Sequence, residues 1–189
     1  MPVDTKPIWE AHKRFQNRVY EIAKELEGIA ERYASLPALI SEASGQERQE
    51  LQEEYADLKA QHDVLTAELE EAEQERDRAY LKIHRIEVEN AQEELDRCYK
   101  ERVLPARKQR DEAEVALRAG VSELKNSEGS WTPEKARRRG ELEIALKRAE
   151  VEMEVASAER NDKKQARTQA QRALQDVEQE LTERGSEVV

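Results

Sequence analysis

Residues 142–181, LEIALKRAEVEMEVASAERNDKKQARTQAQRALQDVEQEL, decide how this chain folds. Leu142, Leu146, Ala149, Met153, Ala156, Arg160, Lys163, Arg167, Ala170, Leu174, Val177 and Leu181 recur at alternating steps of four and three without one irregular step. Positions repeating every 3.5 residues on average stay on one side of an α-helix that supercoils with a neighbour. The stretch is therefore the seam of a coiled coil.

The flanking residues set its limits. Residues 126–133 read as a hairpin tip, in which Thr132-Pro133-Glu134 supplies an N-cap, a first-turn proline and an early acid, and Gly185 follows the last seam residue as a stop. A helix over 134–184 and a tail over 185–189 follow. Upstream, Leu51, Tyr55, Leu58, His62, Leu65, Leu69, Ala72, Arg76, Ala79, Ile83 and Ile86 repeat the same steps from a start at Ser44-Gly45-Gln46-Glu47. The pattern slips past Asn90 and resumes with Leu95, Tyr99, Arg102 and Ala106, then Ala113, Leu117, Gly120 and Leu124. This predicts one long central helix over 46–125 with a kink near Pro105, a complete break there being the alternative. A third seam, Ile8, His12, Phe15, Val19, Ile22, Leu26, Ile29, Tyr33 and Leu36, predicts a helix over 6–36 after a tail of residues 1–5, and Pro37 opens a turn over 37–45.

Short connections make neighbouring helices antiparallel. Folding back near residue 42 sets Tyr33 beside Leu51, Ile29 beside Tyr55, Ile22 beside His62 and Val19 beside Leu65. Folding back near 129 sets Leu142 beside Leu117 and Val177 beside Ile83. It also lays the cations Arg160, Lys163 and Arg167 against the stretch that holds Asn90, Glu93 and Asp96, and these six are the expected register-setting residues. The expectation is an all-α, elongated antiparallel coiled-coil rod of three helices, the long central one flanked by two shorter ones packed end to end along it.

Composition agrees with that pattern. Of 189 residues 40% are charged and 4% aromatic, with six glycines and five prolines. Coiled coils and disordered chains share such a profile, and sustained helical spacing of apolar residues separates the first from the second. A net charge of -11 keeps the surface soluble and disfavours nonspecific binding to nucleic acid or anionic membrane. No stretch approaches the roughly 20 apolar residues of a membrane span. Met1-Pro-Val-Asp lacks the basic-then-apolar start of a signal peptide. The expected setting is the cytoplasm or an assembled particle.

Chemistry is not expected. Cys98 is the single cysteine, so neither an intrachain disulfide nor a cysteine zinc site can form. His12, His62 and His84 are scattered, without HExxH spacing, and pairs such as Glu53 with Asp57 or Glu89 with Glu93 read as a solvated acidic face. Glycine-rich phosphate loops and nucleophile elbows are missing from the sequence. No catalytic residue, metal, cofactor or small-molecule substrate is expected, and the chain reads as a non-enzyme.

Binding is another matter. A second apolar line, Ile144, Val151 and Val155, lies outside the main seam, and the fold-back brings Leu104 and Val115 near it; these five form the expected homo-oligomer seam or docking strip. Residues 100–140 hold eleven Lys and Arg against seven Asp and Glu, a local net of +4 in an acidic chain. There Trp131, Lys135, Arg137, Arg138 and Arg139 are candidate partner-binding residues, although Trp131 can equally staple the hairpin end and the arginines can equally be a solvated face. The function expected is a spacer or adaptor for protein partners in a larger assembly, such as a virion, a secretion machine or a chaperone-like complex. The alternative is a nucleic-acid-binding arm that uses the basic tip.

Overall fold

The computed structural model describes residues 2–126 and 131–186, and all of their regular structure is helical. The tip residues 127–130 and the last three of the tail lie outside the described residues. The helices are α1 (Lys6–Glu42), α2 (Gly45–Cys98), α3 (Leu104–Asn126) and α4 (Pro133–Glu183), with a π-helical turn, Tyr99–Val103, joining α2 to α3.

Each helix end can be traced to particular residues. Thr5 caps α1 through its carbonyl, which accepts from the Ile8 and Trp9 amides at 3.1 and 3.0 Å, while the Asp4 carboxylate accepts from the Lys6 amide at 3.0 Å. At the start of α4 the Thr132 hydroxyl accepts from the Lys135 amide at 3.3 Å, and Pro133 occupies the first position, where no donor is needed. Beyond α4, Gly185 at φ 73° takes a left-handed conformation and donates to the Thr182 carbonyl, and the Ser186 amide reaches back to Leu181 at 3.1 Å. That pair of bonds is a Schellman cap.

Two boundaries differ from the sequence expectation. α1 does not stop at Leu36 but runs through Pro37 to Glu42. Pro37 forfeits one donor and crowds the carbonyl four residues back; complete burial of Leu36 beside it offsets that penalty. The reversal shrinks to Ala43 and Ser44, with Gly45 at φ 62° making the turn. Moving the reversal moves the register. The Tyr33 ring stacks on Tyr55 at 5.3 Å and on His62 at 5.2 Å. Arg32 binds Glu54 through both Nε and a terminal nitrogen at 2.6 Å, and Arg18 reaches Glu68 at 2.7 Å.

At Pro105 the helix neither breaks nor keeps a uniform pitch. The Leu104 amide donates to the Tyr99 carbonyl, five residues back, in the wide turn that precedes the proline. An extra residue in that turn draws the proline ring away from the carbonyl it would otherwise strike.

Two compact units divide the chain. The first comprises Asp4–Ile86 and the residues from Leu174 onward. In it Ile22, Leu65 and Ala72 form a core edged by Val19, Leu26, Ile29 and Leu69, and Leu81, Val177 and Leu181 form another with Tyr80 and Leu174. The second comprises Glu87–Ala173 and the residues before Asp4, and its core is Val103, Ala106 and Ala156 with Met153 packed against them. Gly120 is buried directly against the Leu142 side chain, a position where a β-carbon would collide with that leucine.

Candidate interaction surfaces

Arg137, Arg138 and Arg139 are exposed and Lys135 is half-buried, and each guanidinium has a carboxylate. Arg137 pairs with Glu141 at 3.0 Å and Arg139 with Glu143 at 2.7 Å, both one turn along α4, while Arg138 reaches Glu123 on α3 at 3.5 Å. A phosphate would have to compete with three glutamates already in place. Trp131 stands one residue before the cap with 53% of its surface open.

The polar stretch of the second unit is only partly the ion-pair ladder expected. Lys163 meets Glu94 at 2.7 Å, and that hydrogen bond holds the carboxyl below the ordinary carboxylate range while raising the ammonium. Arg102 joins Glu159 at 2.9 Å and Glu152 at 3.6 Å. Arg160, Asp96 and Asn90 take other partners. Arg160 lies over the Tyr99 ring at 5.2 Å, a cation–π contact, and Asp96 accepts from Gln92 on its own helix at 3.0 Å. Asn90 clamps the N-terminal segment: its side-chain oxygen accepts from the Val3 amide at 2.7 Å and its amide donates to the Val3 carbonyl at 2.9 Å. Arg167 keeps its Nε buried with no hydrogen bond.

The five residues expected to make one apolar seam make two surfaces instead. All are open, from 42% at Leu104 to 65% at Val115. At 100° per residue, Leu104 and Val115 lie on the side of α3 opposite Val103 and Ala106, which face α4. Ile144, Val151 and Val155 likewise lie on the side of α4 opposite Met153 and Ala156. The two lines face away from each other. The α3 line forms a shallow apolar groove walled by Leu104, Arg107, Lys108, Asp111, Glu112, Val115 and Ala116, all from α3.

A cleft lies in the first unit, where the seam residues His12, Arg76 and Leu181 and the neighbouring Trp9 come together. Trp9, His12 and Gln16 of α1, Arg76, Asp77 and Tyr80 of α2, and Glu180, Leu181 and Arg184 at the end of α4 line this cleft of about 320 Å³. The outer helices thus overlap on α2 here rather than merely abutting. Asp77 is 3% exposed; its carboxylate accepts from Arg76 Nε at 2.8 Å and from the Ser186 hydroxyl at 2.6 Å, so the Schellman cap of α4 is tied to α2. His12 stacks on Tyr80 at 5.2 Å, and Trp9 meets both rings edge-on. Burial, helped by the nearby Arg76 charge and opposed by Asp77, lowers the His12 pKa. Heptad spacing places Arg76 in the seam and passes over Asp77, so only its hydrogen-bond partners reveal the position.

No family model, curated protein or solved structure matches this chain. Among the described residues no three His, Cys, Asp or Glu side chains converge as a metal site, and no helix is long and apolar enough to cross a membrane.

Proposed function

We propose that the chain is a non-enzymatic scaffold, an antiparallel coiled-coil rod that acts as a spacer or adaptor for protein partners within a larger assembly such as a virion, a secretion machine or a chaperone-like complex. One observation supports this reading: apolar heptad residues such as Ile22, Leu65 and Ala156 pack into small cores within the chain, while Leu104 and Val115 on α3, Ile144, Val151 and Val155 on α4, and Trp131 stand exposed. Outward apolar lines on helices that already have partners are the usual form of a protein-docking face.

Two measurements test it. Solution scattering is expected to give a longest dimension on the order of 120 Å, from about 80 residues of central helix at 1.5 Å each; a compact particle overturns the rod. Val151→Lys with Val155→Lys is expected to preserve helix content in circular dichroism yet shift the chain from high-mass to low-mass fractions of its native lysate. Unchanged fractionation of this variant removes the α4 face from the proposal.

A further inference from the structure

The outward face of α3 has a symmetry of its own. Read from Leu104 to Val115, the groove presents an apolar residue, the cations Arg107 and Lys108, the acids Asp111 and Glu112, and an apolar residue again. Reversal about the midpoint between residues 109 and 110 exchanges Leu104 with Val115, Arg107 with Glu112 and Lys108 with Asp111. Every apolar position maps onto an apolar one and every cation onto an acid. The relation continues one step outward, where Glu101 exchanges with Arg118.

We infer that this face docks on the same face of a second copy of the chain, antiparallel, about a two-fold axis at that midpoint. A two-fold contact presents one patch twice, so the patch must complement its own reverse. The α3 face does so in both hydrophobicity and charge. The same four charges also pair along their own helix, Arg107 with Asp111 at 4.0 Å and Lys108 with Glu112 at 3.7 Å. In the dimer each therefore stands between two opposite charges instead of one. The outward line on α4 lacks this relation, since reversal that exchanges Ile144 with Val155 sets Val151 against Arg148.

A face of about three helical turns lies at the small end of specific interfaces, below roughly 1,200 Å². The association is accordingly reversible, with a dissociation constant on the order of micromolar or weaker. It is sensitive to salt as well: raising sodium chloride from 50 to 500 mM weakens it roughly tenfold, because the charges sit at the rim.

Sedimentation equilibrium of the full chain tests this with two variants. Arg107→Glu with Lys108→Glu makes the face wholly acidic, and Asp111→Lys with Glu112→Lys makes it wholly basic. Each variant alone is expected to lose at least tenfold in self-association while circular dichroism stays helical, and an equimolar mixture is expected to regain a one-to-one dimer. A parent chain that stays monomeric at every concentration, variants that dimerise as the parent does, or a mixture that fails to pair each overturns the inference. The proposal rests on the scaffold reading but fails separately from it, since loss of this dimer leaves untouched both the length of the single chain, read from scattering extrapolated to zero concentration, and the α4 fractionation test.

Discussion

Along α1 and the first half of α2, the seam is filled by Ile22, Leu65 and Ala72 among further branched side chains, and Tyr33 is sandwiched between Tyr55 and His62. Between residues 87 and 98 of α2, and between residues 161 and 173 of α4, none of the described residues is fully buried, and Lys163 pairs with Glu94 across them. The two regions have the same helical spacing and opposite chemistry. Apolar burial of the first kind contributes about 25 cal/mol per Å² removed from water, whereas an exposed ion pair contributes about 0 to 1 kcal/mol. Stability is therefore not uniform along the helices: the aliphatic region supplies most of the apolar burial, and the charged region contributes little.

The comparison can be broken most directly in the aliphatic region. Ile22→Ala is expected to cost about 2 to 5 kcal/mol by denaturant unfolding, because the cavity it leaves is closed in by Leu65 and Ala72; a loss below about 1 kcal/mol would mean that the region is looser than its burial indicates. Gly120→Leu overpacks a place in the second unit where a side chain of α4 fills the space of a missing one on α3, with an expected loss of about 1 to 3 kcal/mol. Gly28→Ala is its counterpart in the first unit. A β-carbon there meets nothing within 4 Å, so the substitution is expected to stabilise by about 0.5 to 1 kcal/mol and to raise the thermal midpoint.

The charged region sets the smallest effects. A double-mutant cycle on Lys163→Met and Glu94→Gln is expected to yield the weakest coupling of these, smaller than any of the core effects, since both groups are more than one-third exposed and screened by solvent. The pH dependence gives its sign. Hydrogen bonds from Arg32, Lys163 and Arg102 hold Glu54, Glu94 and Glu159 below their ordinary value of 4.5. The folded chain thus holds these protons less tightly than the unfolded one, and their contribution is complete above that value and lost as pH falls through the lowered pKa values. Acid titration of the Glu94→Gln protein, followed by helix content, is expected to show a shallower loss than the parent; a steeper one contradicts the assignment.

Residues whose spacing alone carries the information were legible. The caps at Thr132 and Gly185 sit where residue type requires, and Leu142 to Leu181 marks out a helix because one side of it must be covered. Pro37 and Pro105 were harder, since each carries a local penalty whose outcome depends on what the adjoining residues bury or how the turn widens. Among the site residues, Arg160, Asn90 and Asp96 had the charge and polarity to fill the expected gap, yet each found a nearer partner in Tyr99, Val3 and Gln92. Side-chain reach and direction settle such choices, and a linear pattern contains neither.

By itself the sequence determined that this chain is helical, which residues face a neighbour, and where α4 begins and ends, because those properties depend on spacing and on residue type over a few turns. Only the tertiary structure decided the register of α1 on α2, the burial of Asp77 against Arg76 and Ser186, and the turning of the two apolar lines onto opposite sides of α3 and α4. Each of these depends on where a second helix lies, and a shift of one or two residues at a reversal, or of 100° around a helix, changes which side chains meet without altering the heptad pattern at all.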